Sequence, residues 1–525
     1  MEVFSESKAL FFVKFKLTSI MKHFLIIFFL TQFTGYSYSQ FGWDWNTVGG
    51  NSLRNGRATF NGPVGAFEIH YRAQSVPTIW GNQIFIESNT LVTTRYVSLS
   101  PIRAVLACHE AASGDTLWTR NYAENGVMIV MGFKNGQIYA RNFQQQGFDT
   151  IYAINPANGN VIWKSRHTVE RGIIWSAAFA DNGDLIIPGS GTKSVMRINH
   201  LTGDTVWTRY RIIPNTGAEC MCVSGNTVYT FEGGITTPKR LMAIDINTGA
   251  IKYYSQSLPG DGDQEIPFSI GKDGTIYIVR DGGELHALKD SGTGFIQLWS
   301  RQLPGAVGTY STFGVLFNDD LIIGAGKRIY KIDNVNGSII DSTEELISGG
   351  TLNARIAVDA YDAIYVGNGA SIPSEGKTFA FDKDLNTLWS DPVPYNYYSG
   401  PALASPFNIG GVFYCGAGGE ITCIARLSGI NGEVQNLPSS VKLLENFPNP
   451  FNPSTNIRFE LLRRDKIELR VYDMLGNLVE VIYSGSLNAG THDFKWNAKN
   501  VASGVYVCKI YTGGLSYGRK MMLIK

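Results

Sequence analysis

Leu241-Met-Ala-Ile-Asp-Ile-Asn-Thr-Gly249, running on into Ile251-Lys-Tyr-Tyr254, is the stretch whose reading decides the fold. Met242, Ile244 and Ile246 alternate with Ala243 and Asp245, the period of two of a pleated strand. Gly249 supplies the positive φ that a tight hairpin needs, and Asn247 and Thr248 can bond locally to the turn backbone. One hairpin decides nothing, but the chain contains this one eight times.

The other copies start at Ala107, Ala153, Arg197, Ala287, Lys331, Ala380 and Cys423. Their starts lie about 44–50 residues apart, a period typical of propeller blades. Asn386 replaces the glycine in the seventh copy, and Asn is the other residue that tolerates the left-handed region. A second turn-plus-strand precedes each copy, for example Lys134-Asn-Gly-Gln-Ile-Tyr139 and Lys272-Asp-Gly-Thr-Ile-Tyr277, with Gly81-Asn-Gln-Ile-Phe-Ile86 taken as the first. Two hairpin turns per unit mean four antiparallel strands per unit, and such units repeated radially close into a propeller. The fold class expected is therefore all-β: an eight-bladed β-propeller over residues 40–434, then a small immunoglobulin-like β-sandwich.

Five copies place a tryptophan on the returning strand: Trp118, Trp163, Trp207, Trp299 and Trp389. A ring repeated in this way is expected to fill the wedge between adjacent blades, its indole N–H reaching a backbone carbonyl. Tyr253 holds that place in the opening copy. The pattern at 153–163 and 243–253 resembles the repeat of pyrroloquinoline-quinone (PQQ)-type propellers. The lead-in Trp45-Asn-Thr-Val-Gly-Gly-Asn-Ser-Leu-Arg-Asn-Gly56 is also similar to theirs. The resemblance spans about residues 43–434 and implies the fold; its members include both dehydrogenases and non-catalytic scaffolds.

The 45 Lys+Arg and 44 Asp+Glu nearly cancel, and charged residues make up only 17% of the chain, so no basic field exists to hold nucleic acid. Residues 1–39 read as an N-terminal extension and signal peptide. Met21-Lys-His begins a short basic start, an apolar run to Leu30 follows, and Ser37 and Ser39 precede a cut before Gln40. Met21 is read as the true start, and no transmembrane span is expected in the mature protein.

Because the strands of each unit alternate in direction, both tight turns fall at one end and all remaining connections at the other. Long segments on a rigid scaffold are where binding usually resides. Glu87 to Val105, Arg141 to Thr150, Glu232 to Arg240 and Asn368 to Lys377 are read as such loops. Arg95, Tyr96, Arg103, Phe143 and Phe148, with Tyr395, Tyr397 and Tyr398 between blades, are the ligand-face candidates.

Residues 435–445 form a polar, proline-containing linker, and 446–525 carry five alternating strand signals. Asn446-Phe-Pro-Asn-Pro-Phe-Asn-Pro453, Val471-Tyr-Asp-Met-Leu-Gly476, Ala502-Ser-Gly-Val-Tyr-Val507 and the ending Gly518-Arg-Lys-Met-Met-Leu-Ile-Lys525 occur in that order. Together they resemble the C-terminal sorting domain of the type IX secretion system of Bacteroidetes-like bacteria. The matching residues include Pro448, Pro450, Asp473, Gly476, Gly504 and Lys520. The resemblance implies the type IX machinery as partner and passage through the periplasm to the outer surface, where the protein is anchored or released.

Catalytic signatures are sparse. The seven histidines show no metal-ligand spacing, and no Gly-x-Ser-x-Gly, phosphate loop or haem-attachment motif occurs. Asp261, Asp263 and Glu265 could hold calcium, although Ile266 stands where a calcium loop needs glycine. Cys415 and Cys423 flank a turn and could face each other across it. Cys220 and Cys222 lack the adjacent spacing of the cysteine ring in quinoprotein alcohol dehydrogenases. Two functions follow. One is a non-catalytic, cofactor-free propeller binding a glycan, a peptide or a surface protein. The alternative is a quinoprotein-like oxidoreductase using PQQ and calcium.

Overall fold

The computed structural model describes residues 45–525 apart from short stretches, the longest being 171–176, 215–220, 260–267, 394–399 and 427–440. The signal-peptide reading over 1–39 therefore lies outside the described residues. Described secondary structure is strand, apart from turns and one 3-10 turn at Pro373–Glu375. No described helix is long and apolar enough to cross a membrane.

Seven antiparallel sheets follow one another, sheets I to VII, within residues 80–120, 127–170, 178–210, 222–254, 269–302, 314–342 and 355–392. Each runs outward in chain order from a first, inner strand to a fourth, outer one, and sheet II adds Val169–Glu170 beside Phe148–Ile154. Sheet VIII differs. Its three inner strands, Ala402–Ala404, Gly411–Cys415 and Glu420–Arg426, come from the end of the repeat region, and its outer strand is Phe67–Gln74 from the beginning. Phe67 pairs with Arg426 and Gln74 with Glu420, so the two ends of the repeat region are stitched together by backbone hydrogen bonds.

A row across three strands recurs within the sheets. Tyr139, Ala153 and Trp163 lie side by side in sheet II, as do Tyr277, Ala287 and Trp299 in sheet V, and Tyr365, Ala380 and Trp389 in sheet VII. The small alanine lets the flanking rings meet above it, with centroids 6.0, 6.1 and 6.0 Å apart. Each indole N–H then leaves its own sheet. Trp118 donates to Pro156 O (2.6 Å), Trp163 to His200 O (2.9 Å), Trp207 to Ile246 O (2.8 Å) and Trp299 to Asn334 O (2.9 Å), always in the next sheet. Trp389 donates to Pro63 O (2.8 Å), just ahead of the strand that completes sheet VIII.

Several repeat glycines answer the preceding tryptophan. A Cβ on Gly203 would lie 2.4 Å from the Trp163 ring, one on Gly249 2.7 Å from Trp207, and one on Gly337 2.5 Å from Trp299. These glycines also have φ between 69° and 75°. Turn conformation and inter-sheet packing thus demand the same residue.

Three details depart from the sequence reading. Gly81–Ile86 is not a turn plus second strand; it lies within the inner strand Trp80–Glu87, and the turn falls at Ser88–Asn89. Three of the four segments read as loops are mostly strand, while Asn368 to Lys377 is a loop with a 3-10 turn at Pro373–Glu375. Thr90–Leu99 and Ile102–Glu110 occupy Glu87 to Val105, while Gln137–Phe143 and Phe148–Ile154 converge on a four-residue connection. The β-branched run Thr90-Leu-Val-Thr-Thr explains the first extension. Cys415 and Cys423 are not opposed either: Cys415 faces Ile421 and Cys423 faces Phe413, and both are buried.

The segment read as a linker is part strand: Val441–Leu443 pairs with Ser454–Leu461, and this three-stranded sheet (with Gly490–Asn497) and a four-stranded one (Leu478–Leu487, Asp465–Asp473, Gly504–Thr512, Leu515–Leu523) share one apolar core. Trp496 is its centre, touching Phe451 and Tyr506 and donating to Glu480 (3.0 Å). The segment holding Pro448 and Pro450 is tied to the last strand, because Phe451 N donates to Met522 O (2.9 Å) and Met522 N to Asn449 (2.8 Å). Gly504 opens a strand of the four-stranded sheet, Asp473 ends another and Lys520 lies in the last one. Gly476 lies outside the described residues.

Candidate functional site

The lead-in lies across one end of the ring. Trp45 exchanges backbone hydrogen bonds with Ile86 of sheet I, while Asn46 O accepts from Phe133 N of sheet II and the Asn46 side-chain amide donates to Phe133 O. Thr47 donates to Ala177 O beside sheet III (2.5 Å), and Ser52 accepts from Phe179 N (3.0 Å) while its carbonyl accepts from Val223 of sheet IV. Leu53 O then accepts from Ile270 of sheet V, Asn55 O from Val315 of sheet VI, and Gly56 O from Val358 of sheet VII. In this short span the backbone visits seven sheets in order. Every partner sits where an inner strand runs into its first tight turn, so the tight-turn end is covered from within.

Buried polar groups tie this cover down. Arg54, 1% exposed, donates to Met221 O (2.7 Å) and Val48 O (3.1 Å). Arg57 pairs with Asp362 (2.8 Å). Asp359 accepts from the backbone N–H of Gly62, Tyr361 and Ala363. Complete burial nonetheless raises its carboxyl to about 6, because those three bonds do not fully offset desolvation.

The opposite end carries buried charge of mostly one sign. Arg95, Arg141, Arg211, Lys239, Arg280 and Arg355 are all buried, against Glu232 and Asp391 among the described acidic residues there. Register places them: Arg95 faces Gly81 and Arg141 faces Ile129, each at the start of an inner strand, and Arg355 itself opens one. Arg211 donates to Phe231 O (2.8 Å), Ser194 O (3.0 Å) and Thr230 (3.3 Å), bridging sheets III and IV. Desolvation lowers its guanidinium to about 9, partly offset by Glu232. Glu232 is itself paired with Arg240, whose guanidinium lies 3.8 Å above the Tyr254 ring.

Of the ligand-face candidates, Arg95 is fully buried within its strand, Tyr96 is half-buried beside it, and Arg103 is exposed. The Tyr96 hydroxyl is pushed up by burial, while Arg141 draws it down. Phe143 ends one strand of sheet II and Phe148 opens the next. Tyr395, Tyr397 and Tyr398 lie outside the described residues, as do Asp261, Asp263 and Glu265. The sequence reading missed Arg141, Arg211, Lys239, Arg280 and Arg355. Their signal was a single charged residue beside an apolar or β-branched strand run, as in Val127-Met-Ile-Val-Met131 opposite Arg141.

His109 and His200 sit within hydrogen-bonded networks of the sheets. His109 is fully buried beside Gly114 O (3.3 Å) and Thr116 (3.3 Å), and desolvation pushes its imidazole down to about 4. His200 lies 2.9 Å from Asp184, which is also bound by Arg197. No group of three His, Cys, Asp or Glu side chains converges on a possible metal position among the described residues.

Comparison with known proteins gives the fold a context. Residues 103–339 match the PQQ_2 family, described as outer membrane protein assembly factor BamB, and residues 445–525 match the secretion system C-terminal sorting domain. Among curated proteins none matches the sequence. Of solved structures, the quinohemoprotein alcohol dehydrogenase of Comamonas testosteroni aligns at TM-score 0.56 and 14% identity, covering 79% of this chain and 84% of that one. Quinohemoprotein alcohol dehydrogenase ADHIIG of Pseudomonas putida HK5 aligns at 0.54 and 12%, covering 78% and 83%. PorZ, a surface component of the type IX secretion system of Porphyromonas gingivalis, aligns at 0.39 and 14%, covering 84% and 69%. At these identities the likeness to the two dehydrogenases shows the β-propeller fold alone.

Proposed function

We propose that this chain, a PQQ-like repeat β-propeller with a type IX secretion C-terminal sorting domain, is an eight-bladed binding protein without catalysis. The sorting domain directs it through the type IX machinery to the cell surface or outside. Its ligand face is the end opposite the lead-in, and its ligand is a surface glycan, a peptide or a protein. The observation that carries this reading is the cover over the tight-turn end, which leaves one end for a ligand to enter. The propeller is taken to span residues 40–434, and the terminal module to be immunoglobulin-like.

Glycan and peptide arrays probed with the full mature chain test the reading. Retention of one ligand class, weakened by Arg103→Ala and Tyr96→Ala but not by Lys272→Ala at the tight-turn end, is the expected result. Titration with PQQ and calcium is the counter-test. A stoichiometric, redox-active complex overturns the binding reading in favour of an oxidoreductase.

A further inference from the structure

Four of the seams between consecutive sheets are closed alike, by an indole of one sheet lying against the turn glycine of the next: Gly159, Gly203, Gly249 and Gly337. The seam between sheets IV and V is built differently. Tyr253 stands in the indole's place, and the facing hairpin differs: its strands stay paired out to Asp290 and Phe295, which leaves a shorter turn, Ser291-Gly-Thr-Gly294, than its counterparts have. A Cβ on Gly292 or Gly294 would meet nothing within 4 Å. The space left is a cavity of about 350 Å³, lined from sheet IV by Tyr229, Lys252 and Tyr253 and from sheet V by Asp273, Lys289 and Asp290.

The charges in this cavity are already neutralised where they stand. Asp290 accepts from the hydroxyls of Tyr229 (2.6 Å) and Tyr253 and from Gly292 N (2.7 Å). Asp273 accepts from the backbone N–H (2.8 Å) and hydroxyl (2.6 Å) of Thr275 and pairs with Lys289 (3.3 Å). Lys252 donates to Thr227 (2.9 Å). Two carboxylates balance two ammonium groups, so neither a cation nor an anion gains net attraction. What remains is spare acceptor capacity on the carboxylates next to spare ammonium protons. A hydroxyl, both donor and acceptor, satisfies both at once, and neighbouring hydroxyls on one ring do so twice. The Tyr253 ring, edge-on to Phe295 at 5.3 Å, supplies an apolar wall for C–H groups.

We infer that this seam is a binding site for a neutral sugar, a hexose unit being of a size suited to the cavity. The site lies at the tight-turn end, away from the proposed ligand face, and does not depend on that reading. Saturation-transfer NMR on the full mature chain tests it. The probes are methyl β-glucoside, methyl β-galactoside and methyl β-N-acetylglucosaminide, with glucuronate as the anion and glycine as the zwitterion.

Transfer to at least one neutral glycoside is expected, with millimolar affinity. Tyr253→Trp, which restores the indole of the sister seams, should weaken it tenfold or more while leaving the melting temperature within a few degrees, and Lys252→Met should weaken it several-fold. No transfer to any neutral glycoside, unchanged transfer in both variants, or stronger transfer to glucuronate or glycine would overturn the assignment. Array binding at the opposite end should survive Tyr253→Trp, so failure of one site is distinguishable from failure of the other.

Discussion

The seam between sheets V and VI and the seam between sheets IV and V are built from the same repeat, yet one is filled and the other hollow. In the first, Trp299 reaches Asn334 O and its ring lies against Gly337. In the second, Tyr253 reaches a carboxylate instead of a carbonyl, and nothing lies over Gly292. The difference shows that closure of a seam is set by a pair of positions, an aromatic on one sheet and a glycine on the next. Change the aromatic and the glycine loses its packing role, keeping only its conformational one.

The comparison can be broken most forcefully at Trp299. Trp299→Ala removes a ring that is 9% exposed together with an inter-sheet hydrogen bond, and should cost about 3–5 kcal/mol in urea unfolding. A loss below 1 kcal/mol would mean that the indole does not hold the seam. Gly337→Ala should cost about 2–4 kcal/mol, combining a left-handed φ with a collision against the indole.

Acid separates the two kinds of seam as well. His109, buried below the sheet I turn, titrates near 4 when folded and near its ordinary 6.5 when unfolded. Between those values the unfolded chain binds more protons, so stability falls as pH drops from 6.5 to 4, by at most about 3 kcal/mol. His109→Gln should flatten that part of the stability profile. A profile unchanged by the substitution would assign the acid sensitivity elsewhere. Asp290 works in the same direction: its two tyrosine hydroxyls and Gly292 N–H hold the carboxyl below the usual range despite burial, so its contribution too is lost as pH falls, through that lowered value.

Smaller effects sharpen the contrast. Gly292→Ala should cost about 1–2 kcal/mol, the conformational term alone, and so less than Gly337→Ala. Equal losses at the two glycines would remove the distinction between the seams. Tyr253→Phe should cost only about 0.5–1.5 kcal/mol, the value of one exchanged hydrogen bond.

Much of this architecture was legible because the repeat writes its turns in glycine and its rings in tryptophan. The pairing of Phe67–Gln74 with Glu420–Arg426 was not, since nothing local distinguishes an outer strand borrowed from the far end of the repeat region. The lead-in could be matched to a family pattern, yet its path across seven sheets is a tertiary fact, carried by backbone groups that any sequence possesses. Arg95 misled for a related reason. An arginine among polar neighbours reads as solvated, but the β-branched run around it extends the sheet and takes it into the interior. The hollow seam had a visible trace, tyrosine for tryptophan beside a lengthened hairpin, but its volume depends on how two sheets meet.

The borrowed outer strand has a consequence in time. Phe67–Gln74 emerges early from any machinery that delivers the chain from its N-terminus, and its partner Glu420–Arg426 emerges some 350 residues later. Until then the early segment has no hydrogen-bonding neighbour, and the sheets between are an unclosed arc. Completion is therefore deferred to the last of the repeats, which keeps the polypeptide threadable for most of its passage.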